Sequence, residues 1–201
     1  MADLEKKRGR PRAFDAAAVL EHARAVFLRF GYAGASLDAL TSAMGLNKPS
    51  LYAAFGDKRT LFQQVIEARA REIGRRYRAA FGRGHSVETS LREIFDEAIA
   101  INLIEGEPSG CIVGSPAATE AAADPELAAF VRDYFSLCDR EVGRWFDEAY
   151  GAKGAIRGVG LGRLVTGVIH DLALRARIGE SKARLREYAK DATIALAKAA
   201  T

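Results

Sequence analysis

Gly31-Tyr32-Ala33-Gly34-Ala35-Ser36-Leu37-Asp38-Ala39-Leu40-Thr41-Ser42-Ala43-Met44-Gly45-Leu46-Asn47-Lys48-Pro49-Ser50-Leu51-Tyr52-Ala53-Ala54-Phe55-Gly56-Asp57-Lys58 decides the reading of this chain. Gly31, Gly45 and Gly56 are helix stops, because a left-handed residue ends a helix cheaply only when it has no Cβ. Ser36 and Asp57 are starts, since their side-chain oxygens can accept from the free amides of a first turn. A third start falls at Asn47 or Lys48, with Pro49 in a first turn that needs no N–H there. The stretch therefore predicts two short helices joined at Gly45, flanked by longer helices on either side. Leu37, Leu40 and Met44 on the first short helix, and Leu51 and Phe55 on the second, are spaced to face inward. The second helix leaves Lys48, Tyr52, Ala53 and Ala54 for its outer side. This is a helix-turn-helix, whose second helix fits the major groove of DNA.

Working outward, Asp15 caps a first helix over 15–30, with Ala16, Val19, Leu20, Ala23, Val26, Phe27 and Phe30 on one face. After Asp57, a long helix carries Leu61, Phe62, Val65, Ile66, Ile73 and Tyr77 to about Phe81, and Gly82-Arg83-Gly84 breaks it. Further helices are expected over 87–104, 112–123, 125–150, 161–178 and from Ser181 to about residue 200, with a turn at 105–109. Asp124-Pro125-Glu126 combines a cap, a first-turn proline and a first-turn acid. The helix it opens carries Leu127, Phe130, Val131, Tyr134, Cys138, Val142, Trp145, Phe146 and Ala149 on one stripe. No segment alternates apolar and polar residues as a strand would.

The chain has 201 residues, 49% of them hydrophobic and 28% charged, which suits a globular protein rather than a disordered one. Its 30 Lys and Arg exceed its 26 Asp and Glu, and the whole excess of four lies in residues 1–60. A local basic excess points to nucleic acid or an anionic surface. Two cysteines make no disulfide framework. The longest uncharged run, residues 108–119, is far shorter than the roughly 18 residues a membrane helix needs. No secretory signal follows the basic start, and the cytoplasm is the expected compartment. Gly158-Val159-Gly160-Leu161-Gly162 lacks dinucleotide spacing, because Arg163 stands where glycine is required. No phosphate-binding lysine loop or nucleophile elbow occurs either. Neither catalysis, a cofactor nor a metal is expected.

Residues 14–65 resemble the DNA-binding domain of TetR/AcrR-type transcriptional regulators. The likeness rests on Gly31-Tyr32, on Ser36-Leu37 through Lys58 as quoted, and on Leu61. It implies an all-α fold: an N-terminal three-helix helix-turn-helix DNA-binding domain plus a C-terminal helical ligand-binding and dimerisation domain. The corresponding division is a basic arm at 1–13, the DNA-binding domain at 14–57 and the effector-binding and dimerisation domain at 58–201. By position, Lys48, Ser50 and Tyr52 would touch DNA and Lys58 a phosphate, with Asn47 a further DNA-binding candidate, while the helix starts at Ser36 and Asp57 offer free amides. One departure is Ala54, where relatives often carry Tyr or His for a backbone contact; here that contact is missing or falls to Tyr52 and Lys58. Arg8-Gly9-Arg10-Pro11-Arg12 resembles a minor-groove hook, with Arg8, Arg10 and Arg12 suited to narrow A·T tracts. It reads equally as a solubilising tail.

The resemblance implies a homodimer on a palindromic operator in double-stranded DNA, acting as a repressor released by a small-molecule effector. Small and apolar residues near the C-terminus put Leu161, Gly162, Val165, Ile169, Leu185 and Tyr188 forward for dimerisation, with close packing inside one chain as the other reading of the glycines. Phe95, Cys111, Tyr134, Cys138, Trp145 and His170 are the candidates for a ligand pocket. Core packing competes for the aromatics, and inert burial for the cysteines. Of the two thiols, Cys111 is the better candidate for a redox or electrophile sensor. The alternative reading is an all-helical sensor or interaction module that does not bind DNA.

Overall fold

The computed structural model describes residues 15–81, 86–103 and 110–201. The expected breaks at 82–84 and 105–109, and the arm with Arg8, Arg10 and Arg12, lie wholly or mostly outside them. The described residues form helices α1 (Ala16–Gly34), α2 (Leu37–Met44), α3 (Lys48–Phe55), α4 (Lys58–Ala80), α5 (Val87–Asn102), α6 (Ala118–Ala121), α7 (Pro125–Tyr150), α8 (Gly158–Arg177) and α9 (Lys182–Ala200), with a π-helical turn at Val113–Ala117 before α6. No strand occurs among them.

Local chemistry sets most of these ends. The Asp15, Ser36, Asn47, Asp57 and Asp124 side chains each accept from first-turn amides of the helix they open. α1 is broken at Gly31, whose φ of 73° takes it out of the helix, so Tyr32–Gly34 form a separate short turn. Phe30, expected on the apolar face, is half exposed beneath the Arg29 guanidinium. The single helix expected over 112–123 is instead the π turn followed by one turn of α6. Pro116 lies inside the π turn, where it can donate no backbone hydrogen bond. α8 begins three residues earlier than expected, because the Asp147 carboxylate on α7 accepts from the Gly158 amide at 3.0 Å. Ala149 faces solvent rather than the α7 stripe.

Two apolar cores result. The first joins α1–α3 and the start of α4 to Ile112, Val113, Ala117, Leu127 and Val131. At its centre the Phe27 and Phe62 rings meet edge-on at 4.7 Å. The second gathers the end of α4 with α5, the later part of α7, α8 and α9. Packing therefore does not stop at residue 57: α4 belongs to both cores, and the π turn completes the first. α7 and α8 approach most closely at two buried glycines. A Cβ on Gly162 would fall 1.9 Å from the Asp139 carbonyl oxygen, and one on Gly143 would fall 2.2 Å from that of Gly158. Across this contact the buried Asp139 carboxylate accepts from the Thr166 hydroxyl and from Arg163.

Candidate functional site

The outer face of α3 is built by what α3 buries. Leu51 is fully buried and Phe55 nearly so, which anchors the helix and turns Lys48, Tyr52, Ala53 and Ala54 outward. Tyr52 is 47% exposed, high for a large aromatic side chain. The Ser36 hydroxyl accepts from the Ala39 amide at 3.1 Å, and the Asn47 carbonyl from the Ser50 amide at 2.8 Å. As caps, these two side chains each use one acceptor site and still present the Ser36 O–H and the Asn47 NH₂ as donors. Ser50 is half-buried. Lys48 pairs with Asp38 at 2.8 Å, and the Asp38 carboxylate raises its pKa. Lys58 bends back: its ammonium donates to the Ala33 carbonyl at 3.3 Å and lies 4.7 Å from the Tyr32 ring centroid. Burial there lowers its pKa. Asp38 was invisible as a participant in the sequence, because a first-turn acid on α2 reads as ordinary helix chemistry.

The helix-turn-helix is held to the body on two sides. Arg59 on α4 pairs with Asp124 at 2.7 Å and with Glu126, at the start of α7. Glu120 on α6 accepts from the Ala33 amide at 3.3 Å. Arg177, at the end of α8, donates to the Leu28 carbonyl at 2.9 Å.

Behind this junction lies a cavity of about 770 Å³. Five of the six pocket candidates line it: Cys111, Tyr134, Cys138, Trp145 and His170. Phe95 does not. It is fully buried in the second core, because α5 lays its apolar face on α8 and α9. Sequence reasoning missed Ile66, Tyr77, Phe130 and Ile169 as lining residues; cavity wall and core share one helical spacing, so no signal separates them.

The cavity's titratable groups differ sharply. Burial pushes the Cys111 thiol up, but the His170 imidazole and the Gly114 and Val113 amides more than offset this and hold it below the ordinary thiol value. The Gly114 amide reaches the Cys111 sulfur at 3.4 Å. Burial pushes Cys138 up to about 11, against a hydrogen bond with Tyr134. Tyr134 and Tyr77 are both raised by burial and remain protonated. The Nδ1 of His170 is buried with no hydrogen-bond partner other than the thiol it faces, and the Phe135 ring packs edge-on against the imidazole at 4.7 Å. Among the described residues no group of three or more His, Cys, Asp or Glu could hold a metal ion, and no helix is long and apolar enough to cross a membrane.

The dimerisation candidates lie inside the protomer. Leu161, Gly162, Val165 and Ile169 are buried inside the protomer, and Leu185 is fully buried in the same core. Tyr188 is half-buried under the Arg175 guanidinium, 4.9 Å from its ring centroid. The reason is the Gly143–Gly162 contact, which turns that face of α8 onto α7. The outer stripe of α8 instead carries Leu164, Gly167, Leu174 and Ile178, and α9 exposes Ile194.

Residues 19–65 match the family model of bacterial regulatory proteins of the tetR family. Over 191 residues the chain is 27% identical to the HTH-type transcriptional repressor ComR of Escherichia coli (strain K12), spanning 92% of this chain and 90% of that protein. It is 34% identical to a cysteine mutant of the TetR family transcriptional regulator CifR, solved in complex with 26 bp double-strand operator DNA. That likeness covers 92% of this chain and 99% of that one, with a TM-score of 0.76. A TetR-family regulator from Streptomyces coelicolor shares the fold at 17% identity, covering 92% and 94% of the two chains with a TM-score of 0.74.

Proposed function

Because the chain belongs to the tetR family of bacterial regulatory proteins, and is thus a DNA-binding transcriptional regulator and not an enzyme, we propose that it works in the cytoplasm as a homodimeric repressor that a small molecule releases from its operator. Two copies would present two α3 helices to successive major grooves of a palindromic site, about one helical turn apart or a multiple of it. The contacts assigned to DNA are Lys48 and Tyr52 on α3, Ser50, the caps Ser36 and Asn47, and Lys58 once it leaves Ala33. Arg8, Arg10 and Arg12 would add minor-groove contacts. The second copy would pack on the outer stripe of α8, through Leu164, Gly167, Leu174 and Ile178, with Ile194 of α9.

One observation carries this reading. The cavity shares Ile66, Ile112 and Val113 with the core that supports α3, so an occupant touches the same residues that set the recognition helix. An effector acts only by binding the released form better than the DNA-bound form. The α4 helix and the π turn both run from cavity to helix-turn-helix, and a tilt of either shifts the spacing of two recognition helices. Selection of bound sequences from random DNA tests the reading. It should return a two-fold symmetric site; a pool without symmetry or sequence preference would refute it.

A charge prediction follows from the Lys48–Asp38 pair. In the free protein Asp38 occupies the ammonium that DNA would otherwise take. Asp38→Asn is expected to tighten operator binding by roughly threefold per recognition helix, within the range of exposed ion pairs. It should also steepen the loss of affinity with salt. A salt titration of both proteins on one operator checks this, and weaker binding by the variant would mean that Asp38 instead positions Lys48.

A further inference from the structure

We propose that Cys111 is a nucleophile that captures apolar α,β-unsaturated carbonyl compounds inside the cavity, with His170 taking the thiol proton, and that the thioether so formed is the releasing signal. The last clause rests on the function proposed above. Four observations converge. Cys111 and His170 come from different parts of the chain and face each other: the imidazole hydrogen-bonds to the thiol, and both flank Gly114, where a Cβ would lie 3.9 Å from the Cys111 sulfur and from the His170 Nδ1. That Nδ1 is buried and has no partner other than the thiol it faces, so its lone pair is available to the thiol proton. The two other acidic groups that electrostatically touch Cys111, Tyr77 and Tyr134, stay neutral, as does the neighbouring Cys138, so one sulfur alone is activated. Finally, the space beside it is large and mainly apolar, with Ile73, Phe130 and Ile169 on its walls.

The step balances without an added oxidant or leaving group. His170 Nδ1 accepts the Cys111 proton. The sulfur lone pair forms an S–C bond to the β-carbon, and the C=C pair moves to give an enolate. The imidazolium then returns its proton to the α-carbon. The sum is addition of S–H across one double bond. A thiolate attacks such soft carbon centres, whereas a neutral buried thiol does not.

The position of Cys111 supplies the coupling. It immediately precedes Ile112 and Val113, which are 4% and 1% exposed in the core that carries α3. Upstream, Gly110 has a φ of +113° and packs on the Arg177 side chain, the one that donates to Leu28 on α1. A carbon chain on the Cys111 sulfur therefore pushes on a segment tied at both ends to the helix-turn-helix, and close-packed interfaces shift as units rather than deform.

The test uses the full chain on its selected operator, with trans-2-nonenal as probe and nonanal as its saturated, non-electrophilic counterpart. Nonenal should add one aldehyde mass, mapped to Cys111, and weaken operator binding by about tenfold or more, within ordinary coupling strengths. Nonanal should do neither, and Cys111→Ser should not be released by nonenal, whatever its own affinity. A second readout does not depend on DNA. The pH profile of Cys111 alkylation by iodoacetamide should have its midpoint below that of an ordinary thiol at about 8.5, and His170→Asn should move it above that value. The other ionisable groups acting on the thiol are Tyr77, Tyr134 and Cys138; Arg24 and Arg69 on the same cavity are paired to Glu21 and Glu72, and Glu67, Arg71, Asp133, Arg140 and Glu141 also line it. An adduct on Cys138, equal release by nonanal, or an unmoved midpoint in His170→Asn would overturn the proposal. Failure of the untreated chain to bind any operator would instead refute the regulatory reading, and the mass and pH readouts would still judge the nucleophile.

Discussion

Gly162→Ala is expected to lower the melting temperature by roughly 6–12 °C, equivalent to about 3 kcal/mol of overpacking for a chain of this size. The sign is the informative part. In a helix interior, alanine normally stabilises relative to glycine by roughly 0.5–1 kcal/mol. At Gly162 the added carbon would sit 1.9 Å from the Asp139 carbonyl oxygen, and backbone cannot move aside as a flexible side chain can. α8 would have to separate from α7, disturbing the Asp139–Thr166 hydrogen bond and one wall of the cavity. Gly74→Ala is the control, because a Cβ there meets nothing within 4 Å. Thermal unfolding of the two variants should show opposite shifts. Stabilisation by both would mean that α7 and α8 do not pack backbone to backbone at Gly162.

The combined change Lys48→Ala and Tyr52→Ala is expected to weaken operator binding by roughly thirtyfold or more, since both copies of α3 lose their contacts. Thermal stability should barely change, because both side chains lie outside the core: Tyr52 is 47% exposed and the Lys48 side chain 51%. Isothermal titration on the operator, set beside a melting curve, separates the two effects. Lost binding together with lost stability would place one of these residues in the packing of the helix-turn-helix. Unchanged binding would remove α3 from the DNA surface.

What could be seen in the sequence was local. Ser36, Asn47, Asp57 and Asp124 act within three residues of themselves, so the helices they open were legible from one position and its neighbours. The start of α8 was not, because its first amide is held by Asp147, eleven residues back on another helix. The stretch over 112–123 is Ala-rich only from Ala117; Gly114 and Pro116 disfavour helix in its first half, and there the chain, buried against α1, forms a π turn before a single helical turn.

For the site, the outer face of α3 was legible because Leu51 and Phe55 mark the inner one. The cavity was legible only as candidates. Cys111, Tyr134 and His170 stand on three elements, and no spacing announces their meeting. Phe95 and Phe130 have the same periodic setting, yet one fills a core and the other lines a wall. Which side of α8 turns outward was not legible, because α8 is apolar on two sides. Leu161, Val165 and Ile169 make one stripe and Leu164, Leu174 and Ile178 the other, and only the partner glycine at 143 decides which turns inward.

The central claim is that two copies of this chain read one symmetric operator and that an occupant of the cavity separates them from it. The most direct measurement is the mass of the protein–operator complex in solution, by native mass spectrometry, before and after addition of the effector. The account predicts two chains per operator at first, and free dimer beside free DNA once the effector is bound. A single chain on the operator, or a ligand-loaded dimer that remains on it undiminished, would contradict it.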